Sequence, residues 1–115
     1  MAENKLADMS TEFAVKILNL TDGIKGHYSL SNQLERSGTS IGTNIREAFY
    51  AHGKADFIAK LQIALKECSE TEYWIELILE SGYYHDKSLL DRCTEIKRIL
   101  IASLNTAKEN IDGKT

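Results

Sequence analysis

At 115 residues, with 43% apolar and 27% charged residues and no proline, the chain has the composition of one soluble helical domain large enough for a real core. It contains no run of about 20 apolar residues that could span a membrane, and its net charge of −3 makes it a poor general polyanion binder, while leaving room for a local basic face. The N-terminus, Met1-Ala2-Glu3-Asn4-Lys5-Leu6-Ala7-Asp8, is polar and acid-bearing, unlike a signal or transit peptide, so a cytoplasmic location is expected.

Apolar residues recur at gaps of three and four almost throughout, and this spacing predicts four helices. The first, about residues 8–24, carries Met9, Phe13, Ile17, Leu20 and Ile24, and Gly23 and Gly26 interrupt it. The second, about 28–52, carries Leu30, Leu34, Ser37, Ile41, Ile45 and Ala48. The third, about 55–81, is the most regular, with Phe57, Leu61, Ala64, Cys68, Thr71, Ile75 and Ile78, and Gly82 is placed to end it. The fourth, about 87–109, repeats the pattern with Leu89, Cys93, Ile96, Leu100, Ser103 and Ala107, and Asp86 can cap its start. A frayed tail is expected from Ile111 to Thr115, leaving an ordered core of about 8–108. Four helices of similar length joined by short loops imply one all-α domain, an antiparallel up-down-up-down four-helix bundle.

The second helix holds an unusual segment, Ser40-Ile41-Gly42-Thr43-Asn44-Ile45-Arg46-Glu47-Ala48, preceded by Gly38. Glycine costs about 1 kcal/mol relative to alanine inside a helix, so Gly38 and Gly42 imply a compensating gain, namely close approach of another helix. Within this packing signature, Ser40 and Asn44 are read as packing residues, with Asn44 able to hydrogen-bond across an interface or fix register. The alternative makes them ligand contacts.

Other residues fall outside the core stripes. Ile63, Trp74 and Leu77 share the side of helix three opposite its stripe, the expected place of an oligomer interface; the alternative is a Trp lying under a loop. Val15, Leu18, Leu90 and Ile101 are also off-stripe. On the outward face of helix two, Arg36 and Arg46 with Tyr28 and Tyr50 are candidate nucleic-acid contacts, Arg for phosphate and Tyr for stacking. Flanking Glu35 and Glu47 make a plain solvated face the competing reading.

Residues 56–82 set Lys60 and Lys66 against Asp56, Glu67, Glu70, Glu72, Glu76 and Glu80. A di-iron bundle would need inward Glu-x-x-His pairs, and the sequence contains none, so these acids read as a solvated face. Cys68 and Cys93, 25 residues apart, lack metal-ligand spacing and read as free core thiols in a reducing compartment. No nucleophile–base set, phosphate loop or dinucleotide fingerprint is present. No cofactor, metal or enzymatic activity is expected.

The run Leu30-Ser31-Asn32-Gln33-Leu34-Glu35-Arg36-Ser37, followed by Ser40 to Ala48, resembles the pattern L-x-x-Q-x-x-R-x-x-x-S-I-x-x-N-I-A-E-G. Asp56 to Leu65 resembles the downstream F-I-x-x-L-x-I-A stretch, and Ser69 to Leu77 with Gly82-Tyr83 continue in register. This pattern belongs to the four-helix-bundle family named for proteins encoded by intervening sequences in bacterial 23S ribosomal RNA genes, which also includes accessory proteins of diversity-generating retroelements. Departures are Arg46 in place of Ala, Ala48 in place of Gly, and a loop between helices one and two without the usual Pro. The resemblance implies a bacterial, homopentameric ring with a central channel and no enzyme activity. The partners it implies are other copies of the chain, RNA or DNA, and a reverse transcriptase or other protein, with no membrane. The functional expectation is a self-assembling scaffold that binds nucleic acid or a ribonucleoprotein. The rival is a protein-interaction scaffold with no nucleic-acid contact.

Overall fold

Leu6, Met9, Phe13, Ile17 and Leu20 form one buried stripe of a helix, α1, that spans Ala2–Gly23. The computed structural model describes the backbone of residues 2–113 and the side chains of residues 5–109. Helix α2 spans Tyr28–Phe49, α3 Lys54–Ser81 and α4 Ser88–Gly113. No strand occurs among the described residues. Each helix packs on its neighbour in sequence, and α4 returns to α1, closing an elongated antiparallel bundle of 52 × 22 × 21 Å. The fold is the predicted one.

The boundaries differ at three places. Helix α1 starts near Ala2 rather than residue 8, and its added turn buries Leu6. Helix α2 stops at Phe49 rather than about residue 52, because the Tyr50 and Ala51 N–H groups turn back to Glu47 O and Ala48 O. Helix α4 continues to Gly113, so Ile111 to Gly113 are helical instead of frayed; Lys114 and Thr115 lie outside the described residues.

The predicted stop of α3 is present, and Asp86 bonds the start of α4 from one residue ahead of the cap position. Gly82 adopts φ +80°, with its N–H on Leu79 O and that of Tyr83 on Ile78 O, the paired bonds of a Schellman cap. Asp86 Oδ1 accepts the Ser88 N–H at 2.9 Å, which lowers the Asp86 pKa. The core stripes are buried as read, except that Leu30, Phe57 and Ser103 are only half-buried. No described helix is long and apolar enough to cross a membrane.

Candidate functional site

The signature segment of α2 serves its two neighbours on opposite flanks. Gly38 and Gly42 face α1. A β-carbon at Gly38 would lie 3.1 and 3.2 Å from Ile17 Cγ1 and Cγ2, and one at Gly42 would lie 3.2 Å from Ser10 Oγ. The glycines therefore let α1 seat directly on α2, as the expectation of close approach required. Ser37, fully buried, points to α3, where the Thr71 hydroxyl lies 2.8 Å from Ser37 Oγ and 2.7 Å from Glu67 O.

The polar members of the signature are satisfied inside α2. The Ser40 hydroxyl donates to Arg36 O at 2.7 Å, and Asn44 Nδ2 donates to Ser40 O at 2.9 Å. Within the chain, Asn44 thus bonds back along its own helix rather than across to another helix of the bundle. Short polar side chains commonly bond the carbonyl one turn back in this way.

The four candidate nucleic-acid residues do not form one patch. Arg36 Nη1 and Nη2 pair with Glu67 and Glu70 of α3, the Glu67 contact being 3.2 Å. Its hydrogen bond to Glu70 raises the Arg36 pKa and lowers that of Glu70. Arg46 instead turns toward α1, where Nη2 donates to Thr11 Oγ1 at 3.3 Å. Ten residues at 100° each leave a residual angle of roughly 80°, enough to put the two arginines on different flanks. Tyr28 and Tyr50 are 70% and 85% exposed, but they stand at opposite ends of α2, roughly 33 Å apart along its axis.

Ile63, Trp74 and Leu77 are not equally exposed. Ile63 is 40% exposed, Leu77 is half-buried, and Trp74 is half-buried against the edge of the core. Trp74 also leans on Tyr73, with ring centroids 5.3 Å apart. Its indole N–H is buried without a hydrogen bond of ordinary geometry, although its proximity helps lower the Glu70 pKa. Trp74 therefore packs against the core edge beside Glu70, which corrects its placement on the fully outward side. Other outward apolar side chains among the described residues include Val15 and Leu18 on α1, Tyr73 on α3, Tyr83 in the α3–α4 loop and Ile101 on α4.

The acidic face of α3 is divided: Glu76 and Glu80 are exposed, as a solvated face requires, whereas three other acids are bridged to neighbouring helices. Glu67 and Glu70 hold Arg36, and Glu72 holds Lys97 of α4 at 2.9 Å, which raises the Lys97 pKa. Among the described residues, no three His, Cys, Asp or Glu side chains gather in a metal-binding arrangement. Two features were missed in the sequence. One is a shallow apolar groove at the base of the bundle, lined by Phe57, Ile99, Ala102 and Ala107. The other is the direct contact of Cys68 with Cys93, whose membership of the core stripes of two successive helices was the available signal.

Fold and signature together define an all-α bundle module whose distinctive segment joins helices. The chain belongs to the 23S rRNA-intervening sequence protein family, whose model matches residues 2–102. It is also similar to the crystal structure of a protein of unknown function from the S23 ribosomal protein family of Bacteroides thetaiotaomicron. The two are 46% identical with a TM-score of 0.85, over 91% of this chain and 99% of that one. No curated protein matches the chain.

Proposed function

We propose that the protein is a non-enzymatic, cytoplasmic scaffold that assembles with copies of itself, most simply as the pentameric ring its family resemblance implies, and that it holds protein partners. The observation carrying this reading is the set of apolar side chains on outward faces of three helices: Val15 and Leu18, Ile63 and Tyr73, and Ile101. Separate apolar faces on one chain suit a head-to-tail contact, which closes into a ring when the rotation permits. The test is light scattering at micromolar concentration. The wild type should have a mass of several chains, and Ile63→Glu should lower that mass while helicity survives. An interface anchor costing about 2 kcal/mol weakens assembly roughly thirtyfold. Ile63 is a cleaner probe than Trp74, whose loss would also damage the core edge. A monomeric wild type overturns the proposal.

One observation favours a second reading, contact with RNA. Among the described residues Arg46 has no carboxylate within ion-pair distance, and a ring would repeat it once per subunit, so weak contacts add. On this reading, single-stranded or structured RNA binds weakly and loses affinity steeply with salt. Arg46→Ala should reduce binding more than Arg36→Ala, because Arg36 is already tied to two carboxylates, and the double change should largely abolish it. Fluorescence anisotropy at low salt decides. Binding absent at tens of micromolar protein, or indifferent to both arginines, leaves the protein scaffold alone.

A further inference from the structure

We propose that Cys68 and Cys93 are a dithiol latch, which a two-electron oxidant such as hydrogen peroxide closes into an intramolecular disulfide fastening α4 to α3. The two residues lie on adjacent antiparallel helices, both are fully buried, and their sulfurs touch at 3.7 Å. Each sulfur also reaches the backbone of the opposite helix: Cys68 Sγ lies 3.4 Å from Cys93 O, and Cys93 Sγ lies 3.5 Å from Cys68 O. The side chains are thus already aimed at one another. A disulfide of about 2.05 Å requires the sulfurs to close by roughly 1.7 Å, within the reach of side-chain rotation and a small helix shift.

The surroundings hold this pair together. One turn further along, Glu72 of α3 accepts from Thr94 at 3.1 Å and from Lys97 at 2.9 Å on α4, so a polar clamp fixes the register beside the sulfurs. The other side of α4 is less firmly held. It meets α1 along a much shorter seam than it meets α3, and the bridge from Arg92 to Glu12, 3.3 Å long, is part of that seam. Helix α4 is therefore the element whose opening would expose the thiols.

Closed, the pair resists oxidation. Contact with Cys68 and burial hold the Cys93 thiol far above the ordinary thiol range, and thiols react as thiolates. When α4 opens, one cysteine as thiolate attacks a peroxide oxygen; the O–O bond breaks, giving a sulfenic acid and hydroxide. On reclosing, the second thiol attacks the sulfenic sulfur, the S–O bond breaks and water leaves. Two electrons pass from the two thiols to the peroxide, and two waters form in all.

The experiment treats the full chain with hydrogen peroxide and follows it by intact mass, peptide mapping and thermal unfolding. The expected product is monomer-linked: it loses two hydrogen atoms, yields one cross-linked peptide pair holding Cys68 and Cys93, and reverts with a thiol reductant. Its Tm should rise by about 10 °C, since the cross-link restricts the unfolded chain. Neither Cys68→Ala nor Cys93→Ala should show that rise. Two free thiols after prolonged exposure, oxygen added to single cysteines, disulfides between chains, or a cross-link that leaves Tm unchanged would each overturn the latch.

Discussion

Gly38→Leu is expected to lower the stability of the bundle by about 3 kcal/mol, the upper part of the range for overpacking a well-filled site. A β-carbon alone would meet Ile17 Cγ1 and Cγ2 at 3.1 and 3.2 Å, and Ile17 is fully buried. Isoleucine in a helix has one strongly preferred rotamer, so it cannot swing aside, and α1 must lift from α2 instead. Gly42 meets a softer neighbour. Its nearest contact is the Ser10 hydroxyl, which now bonds Ala7 O at 2.9 Å and can rotate away. Gly42→Leu should therefore cost less than Gly38→Leu, within about 1–3 kcal/mol. Gly42→Ala should be nearly neutral, because the gain of about 1 kcal/mol in helix propensity offsets the contact. Urea unfolding followed by circular dichroism measures all three. If Gly38→Leu were silent, the seating of α1 on α2 through these glycines would be wrong.

This contrast marks how far a sequence can be read. Periodicity found the core because burial in a bundle follows helical spacing. Stripes such as Phe13, Ile17 and Leu20, or Leu61, Ala64, Cys68 and Thr71, need no knowledge of the partner helix. Glycine in a helix likewise announces close approach, though not which neighbour approaches; that α1 fills Gly38 while α3 takes Ser37 is a tertiary fact. The charged and polar side chains were least legible. Arg36 and Glu70 are 34 residues apart and meet only because α2 and α3 pack side by side. A single-helix projection showed Arg36 and Arg46 on one outward side. In the bundle they occupy different grooves, one neutralised by carboxylates and one bonded to a threonine. Trp74 misled for the same reason. A helix between two neighbours buries an arc wider than its central stripe, and the indole is half-buried against the edge of the core.

The other large effect is expected at Phe13, the largest of the fully buried side chains and the middle of the α1 stripe. Phe13→Ala should destabilise the protein by about 3–5 kcal/mol, through lost apolar burial and the cavity left behind. A domain of 115 residues has a total stability of roughly 6–17 kcal/mol, so this one change removes a large fraction of it. Helix α1 has little to compensate with. It rests mainly on α2 and meets α4 over only a short seam, and its remaining cross-links include one hydrogen bond from Thr21 to Glu35 and one bridge from Glu12 to Arg92. Exposed or half-exposed polar links of this kind contribute little individually, so α1 depends on its buried stripe. The same urea experiment tests this, with the denaturant slope as a second readout. A loss under about 1 kcal/mol would mean that the space at Phe13 collapses without strain, and that α1 is not packed into a continuous core with α2. A full loss accompanied by an unchanged slope would instead place Phe13 where the structure has it, as the anchor that makes the first helix part of the cooperative bundle.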